Sequence, residues 1–443
     1  MLPLILKMAL PSVMAQLVNL LYGIVDRIYI GHIKDIGGNA LGGLSITTSV
    51  ILLISAFPSL VGGGGSPLAA IQLGRGNREE AGRILNNGFV MLMFFSVICT
   101  VFPYVFMEPL LRFSGGNADT MPYAVEYLSV YLLGTVFVMI ATGLNMFISC
   151  QGRPGIAMLS VIIGAVLNTA LDPLFIFGFK LGIKGAAIAT VISQAVSAAF
   201  VLCFLFSEKA ELRLDFKLMR PRLAVIGGIS ALGISPFVMA STESLVGFTL
   251  NGQLSAYGNT FHLGALAVMQ SAMQIVSVPL SGFTQGIIPI MSYNYGHGKS
   301  ERVKECFKIT MAVVFTFNLV GMLFMILCPG LIGTLFTDDE GVVEVVRQYM
   351  PIFLLGMTIF GLQRTCQNTF VALGQARISL FIALLRKVIL LVPLAYILPI
   401  FMGVAGVYSA EAIADATAAT LCTLIFIFTF PKILNKAKMK AES

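Results

Sequence analysis

Charge is scarce in this chain. Asp, Glu, Lys and Arg make up 11% of its residues against 57% hydrophobic, and the mean hydropathy is +0.91. A soluble protein of this length needs a charged surface, so the composition excludes one and points to an integral membrane protein. Histidine is nearly absent too. His32, His262 and His297 stand alone near helix ends or loops, which offers no metal-ligand spacing. The seven cysteines (Cys99, Cys150, Cys203, Cys306, Cys328, Cys366, Cys422) are odd in number, far apart and mostly inside apolar runs. With no CxxC or Cys/His pattern among them, they read as packing residues rather than a disulfide or metal framework. No nucleophile–base set and no HExxH pattern occurs, so nothing argues for an enzyme. Gly62 to Gly65 lacks the Lys-Ser/Thr sequel of a phosphate loop, which leaves tight packing or a hinge as its role. The apolar run from Met8 onward is too long for a cleavable signal, and further spans follow it.

What the chain has in quantity is long apolar runs. Read at about 20 residues each, they predict twelve helices, starting near residues 8, 41, 84, 121, 155, 183, 223, 261, 306, 343, 377 and 404. Lys and Arg crowd into alternate loops: Lys7; Arg75, Arg78 and Arg83; Arg153; Lys209, Arg213, Lys217, Arg220 and Arg222; Lys299, Arg302, Lys304 and Lys308; Arg377; and Lys432, Lys436, Lys438 and Lys440. The opposite loops hold only Lys34, Arg112, Lys180 and Lys184. By the positive-inside rule both termini are cytoplasmic, in a multi-pass protein of the cell membrane. The net charge of +7 then follows from topology and needs no nucleic-acid partner. Forty-four glycines suit close helix contact in lipid, and the many Met and Phe residues are packing that could also shape an adaptable pocket.

The chain also repeats itself. Leu73-Gly-Arg-Gly-Asn lines up with Tyr295-Gly-His-Gly-Lys so that Gly74 and Gly296 lie 222 residues apart, as do Gly134 and Gly356, and Gly152 and Gly374. A duplicated six-helix unit has an even number of spans, so the expected fold is all-α, with two parallel six-helix lobes related by a pseudo-two-fold axis along the membrane normal. The division is an N-lobe at 1–206, a basic connector at 207–222, a C-lobe at 223–430 and a basic tail at 431–443.

Within this apolar background a few polar residues stand out. Asn168 and Asp172 are four apart, and so share a helical face, in the run from Ala165 to Lys180. A carboxylate at the centre of a spanning helix costs roughly 2.5–3.5 kcal/mol, so Asp172 should face a protein cavity and act there. Pro173 leaves the Thr169 carbonyl without its usual donor and adds a third oxygen to the group. A compatible structural reading is a helix break, with Asp172 capping a half-helix that starts at Pro173. Asp26 lies at lipid depth in the first helix. Neutralisation by Arg27 is poor, since neighbours on a helix point about 100° apart; Lys34 is the other candidate.

These residues carry a resemblance. Pro11 to Gly31 with its Val-Asp-Arg-Ile-Tyr-Ile-Gly, Leu73-Gly-Arg-Gly-Asn, Asn168 to Asp172-Pro173 with the following Leu-Phe-Ile-Phe-Gly, and Gly286-Ile-Ile-Pro-Ile-Met-Ser-Tyr-Asn-Tyr-Gly resemble the multidrug and toxic compound extrusion (MATE) transporters, in their bacterial DinF-like and MepA-like branch. The resemblance runs from about residue 3 to 430. It implies a two-lobed secondary antiporter that exports amphipathic, mostly cationic small molecules in exchange for protons or sodium. The ion gradient takes the place of any cofactor, the bilayer is the surroundings, and the chain is read as a monomer. A lipid-linked precursor flippase, or a non-transporting receptor or channel, are the alternatives. By resemblance Asp26, Asn168 and Asp172 form the N-lobe cation-coupling site, and Pro11 is a bending point, with Pro173 a second candidate. Two buried acids with one amide are not expected to be ionised together, so the pair should hold one proton that a cationic drug displaces.

The C-lobe departs from the pattern. The sodium-coupled branch uses a seventh-helix Glu and a tenth-helix Asp there, but this chain has Glu243 with Arg364 near the second position, so that sodium site is not expected. Glu243 is then free to bind a cationic substrate or to pair with Arg364. Arg386 and Lys387 are expected to neutralise Glu411 and Asp415, which are four apart on one face, with a second substrate or proton site as the alternative.

Overall fold

The computed structural model describes residues 1–34 and 36–442; Asp35, Ser443 and the side chains of 437–442, including Lys438 and Lys440 of the expected basic tail, lie outside the described part. Twelve helical spans follow one another: α1 (Leu2–Gly31), α2 (Gly37–Gly74), α3 (Arg78–Val105), α4 (Met121–Leu133 with Thr135–Cys150), α5 (Pro154–Gly178) and α6 (Gly182–Phe206). The second six are α7 (Leu223–Tyr257), α8 (Thr260–Gly296), α9 (Ser300–Leu327), α10 (Glu340–Leu354 with Gly356–Ala372), α11 (Ala376–Met402) and α12 (Val404–Glu442). Ten are single helices long and apolar enough to cross a membrane, and the bent pairs of α4 and α10 bring the number to 12. The chain is an all-α, multi-pass membrane protein.

Several helices begin a turn or more before their apolar runs. Lipid fixes only the apolar middle of a span, whereas backbone hydrogen bonding continues into water as long as the end is capped. At α3, Asn77 Oδ1 accepts from the Glu80 amide at 3.1 Å, and Arg78, Glu79 and Glu80 form the exposed first turn ahead of the apolar part.

The duplication visible in sequence is visible in the bends. α4 and α10 turn by 58° and 43° at Gly134 and Gly356, a pair separated by the repeat length. A Cβ on Gly356 would stand 2.0 Å from the Ala412 carbonyl oxygen of α12, and one on Gly134 would stand 2.6 Å from Val191 of α6. Only glycine lets the neighbouring helix come so near.

The two sets of six helices meet through α1 against α8 and α2 against α7, with α2 also touching α8. The nearest approaches are backbone to backbone. A Cβ on Gly74 would lie 2.1 Å from the Tyr293 carbonyl, and one on Gly296 would lie 2.1 Å from that of Ile71; since residues 71 and 293 are themselves one repeat apart, the contact is reciprocal, as at a two-fold axis. The run Gly62 to Gly65 is used for packing: a Cβ on Gly64 would stand 2.3 Å from the Ile229 carbonyl oxygen, and one on Gly65 2.5 Å from the Phe147 ring. These approaches, with those of Gly233, Gly282 and Gly286, lie in the halves of α1, α2, α7 and α8 nearest the basic loops. Segment 207–222 lies across that same end. Asn86 and Asn87 of α3 accept from the amides of Asp215 and Arg222 at 2.8 Å each, and Gln151 accepts from that of Leu212 at 2.9 Å.

Candidate functional site

Three helices of the first six build a polar cluster in their halves away from the basic loops. On α5, Asn168 and Asp172 lie one turn apart on the same side, 1% and 0% exposed. Asn168 Nδ2 donates to Asp172 Oδ1 and to the Thr190 hydroxyl of α6, each at 3.3 Å. Asp26 of α1 is 7% exposed and lies within electrostatic reach of Asp172, and Tyr22, one turn before it, feels both carboxylates. Asp26 makes no ion pair with Arg27, Lys34 or any other cation among the described residues. Three buried oxygens are left with no hydrogen-bond donor: Asp26 Oδ1, Asn168 Oδ1 and Asp172 Oδ2. Unsatisfied buried acceptors on two carboxylates and an amide amount to a site for a positive charge. A cavity of about 330 Å³ adjoins it, reaching from Asn168 and Tyr22 toward the basic end past Asn19, Gln16 and Asn145, with no charged side chain in its wall.

The expected break at Pro173 does not occur. α5 runs through the proline and continues as one widened turn, Leu174–Gly178, which Asp172 does not cap. A widened turn absorbs the missing N–H without ending the helix.

The second six helices hold a denser set of charges. Arg386 on α11 reaches both acids of α12, Glu411 at 3.6 Å and Asp415 in a closer bond, and its guanidinium lies 4.2 Å from the centre of the Phe360 ring. Lys387, its neighbour, turns to α7 and pairs with Glu243. The expectation that both cations serve Glu411 and Asp415 is therefore corrected. Adjacent helical residues diverge by about 100°, and the widened turn Leu385–Leu391 holds both, so one side chain faces α12 and the other α7. The pairing of Glu243 with Arg364 is corrected likewise. Arg364 Nη1 donates to the Ser281 hydroxyl at 2.6 Å and to the Ser277 carbonyl at 3.2 Å, both on α8. A second cavity, of about 310 Å³, is lined by Glu243, Arg364, Arg386 and Lys387; it shares Ser59 and Gln285 with the first, so the two meet between the halves.

A family model, MatE, matches residues 11–174 and 237–397, which is most of the chain. The chain belongs to the MatE family. Among curated relatives of this MatE chain, "Multidrug export protein MepA" of Staphylococcus haemolyticus is 23% identical over 435 residues, 98% of this chain and 94% of that protein. The protein of the same name from Staphylococcus aureus (strain MRSA252) is 25% identical over 417 residues, covering 94% and 91%. Among solved structures, an outward-facing multidrug resistance MATE family transporter of the MOP superfamily superposes with a TM-score of 0.90 at 21% identity over 97% of this chain and 96% of its own. MATE in the bent conformation gives 0.89 at 21% over 99% and 97%. The fold is that of these proteins.

Asp26, Asn168 and Asp172, singled out in the sequence, fall in one cluster, and Thr190 and Tyr22, not singled out there, stand beside them. Thr190 had a usable signal: α5 and α6 are antiparallel about the turn near Phe179, and Asn168 and Thr190 lie 11 residues to either side of it, hence at one depth. The expected hinge Pro11 lies inside an unbroken α1.

Proposed function

We propose that this chain is a secondary antiporter that exports amphipathic, mostly cationic small molecules in exchange for protons or sodium. The observation that carries the reading is the set of three donorless oxygens on Asp26, Asn168 and Asp172, buried beside an uncharged cavity of amides and hydroxyls. The names of its relatives support the substrate class. A proton on either acid, or a sodium ion held by the same oxygens with the Thr190 hydroxyl, relieves the unsatisfied charge. The positive end of a drug in the adjoining cavity relieves it too. Two ligands that stabilise one charge state in different ways compete, and by linkage each lowers the affinity of the other, which is the condition for exchange.

The basic end faces the cytoplasm in this reading, following the positive-inside rule. The glycine contacts of α1, α2, α7 and α8 then form a shut cytoplasmic gate, and Pro11, on the α1 segment packed against Gly282 and Gly286, is placed to bend when the gate opens. Expression in a pump-deficient host tests the function. Ethidium accumulation should fall relative to an empty-vector control, and unchanged accumulation across a panel of amphipathic cations would overturn it.

A further inference from the structure

The cavity of the second six helices has a feature that cation export does not require. Three cations line it, yet only one carboxylate, Glu243, does so with them. Lys387 is matched by Glu243, and Arg386 by the acids of α12 behind it. Arg364 has no carboxylate within ion-pair distance among the described residues. One nitrogen, Nη1, is spent on two neutral oxygens of α8, and the guanidinium carbon lies 5.2 Å from the centre of the Phe360 ring. Nε and Nη2 have no acceptor among the described residues, although an arginine carries five N–H donors in a planar fork. Gln363 and Gln367 in the same wall add amide groups. A guanidinium fixed at one corner, with its remaining donors unspent beside a cavity, is built to receive a planar anion.

We propose that Arg364 is a specificity-determining residue that receives the carboxylate of a zwitterionic substrate in this cavity, while Glu243, whose side chain is 63% exposed, meets the substrate's cationic end. This rests on the export reading and narrows it: the preferred cargo carries both signs of charge. A molecule of that kind leaves the cavity's net charge unchanged, whereas a simple cation adds a positive charge beside the unmatched guanidinium of Arg364.

The test uses the full-length protein purified in detergent and a matched pair of probes, norfloxacin as the zwitterion and its ethyl ester as the cation. The wild-type protein should bind norfloxacin more tightly than the ester. In Arg364→Gln the ratio of the two affinities should fall by roughly tenfold or more, as loss of a charge-assisted forked contact implies, and Arg364→Lys should fall between. A wild type that prefers the ester overturns the proposal without any variant being needed. So does equal weakening of both probes in Arg364→Gln, which would mean that Arg364 only ties α10 to α8. Transport of ethidium by the wild type in vesicles reports separately on export, so a failure of that reading is told apart from a failure of this one.

Discussion

The two halves of this molecule share a fold but treat buried charge in opposite ways. Between α1, α5 and α6, Asp26 and Asp172 have no cation within 4 Å among the described residues, and the hydrogen bond they receive is that of the Asn168 amide to Asp172. Between α7, α10, α11 and α12, Glu243, Glu411 and Asp415 each have a cation within 4 Å, although Glu411 Oε2 and Asp415 Oδ2 are likewise left without a donor. An unpaired acid at membrane depth has an open valence that a mobile ion can fill and leave. A paired one has already been answered by the protein and can lose its partner only at a large cost. The same residue types thus suit ion coupling in one half and, at the junction of α11 and α12, a scaffold in the other.

The sharpest way to break this contrast is to neutralise each side. Asp26→Asn and Asp172→Asn should each reduce export to background while the protein reaches the membrane and unfolds at the same temperature or a higher one, because a costly buried charge has been deleted. Transport measured in vesicles, with thermal unfolding of the same preparation, checks both halves of that statement; export that persists in both variants would sink the coupling role. In the other half the pattern should invert. Arg386→Met leaves Glu411 and Asp415 buried without a cation and should cost about 3–5 kcal/mol of stability, and exchanging Arg386 and Asp415 should restore part of it. A well-folded but inactive Glu411→Gln would show that the paired half also works in coupling. Lys387→Met should cost less, about 1 kcal/mol, since the Glu243 that it frees is open to the cavity and can be hydrated. The smallest effect belongs to Thr190→Val. Loss of one hydroxyl from the Asn168 network should cost about 1 kcal/mol, roughly a fivefold change in the ion concentration that half-saturates transport.

The spans were legible because bilayer thickness sets a length that apolar runs must meet, and the duplication because glycines at bends and gates recur at one offset. Asn168 and Asp172 were legible because polar residues inside such runs are expensive. Thr190 was not, since a threonine in an apolar helix costs little and stands out only once the α5–α6 hairpin puts it opposite Asn168. The partners of Lys387 were misassigned for a related reason. Four charges close in sequence were read as one cluster, whereas the helix rotates successive side chains apart and the widened turn carries Lys387 round to α7. Local sequence ranks which residues are costly to bury; which of them face one another depends on helix rotation, which is settled by packing.

The reciprocal contact of Gly74 with Tyr293 and Gly296 with Ile71 bears on how fast such a molecule can cycle. At this end the halves meet through peptide groups, and the polar tie recorded across this contact is between His297 Nδ1 and the Gly74 carbonyl, at 3.1 Å. Parting the halves here separates one ion pair, the Met1 ammonium and Glu305 at 3.5 Å, and uncovers apolar side chains of α1 and α8 that share a core, Ile5, Met8, Leu280 and Ile287 among them. Apolar contact is not screened by salt and a single half-exposed pair is worth little, so the opening step should respond only weakly to ionic strength, unlike a latch made of many lysines and glutamates. Its speed would be governed by how much of that apolar contact must be exposed before the glycine-lined backbones part, rather than by a charge latch.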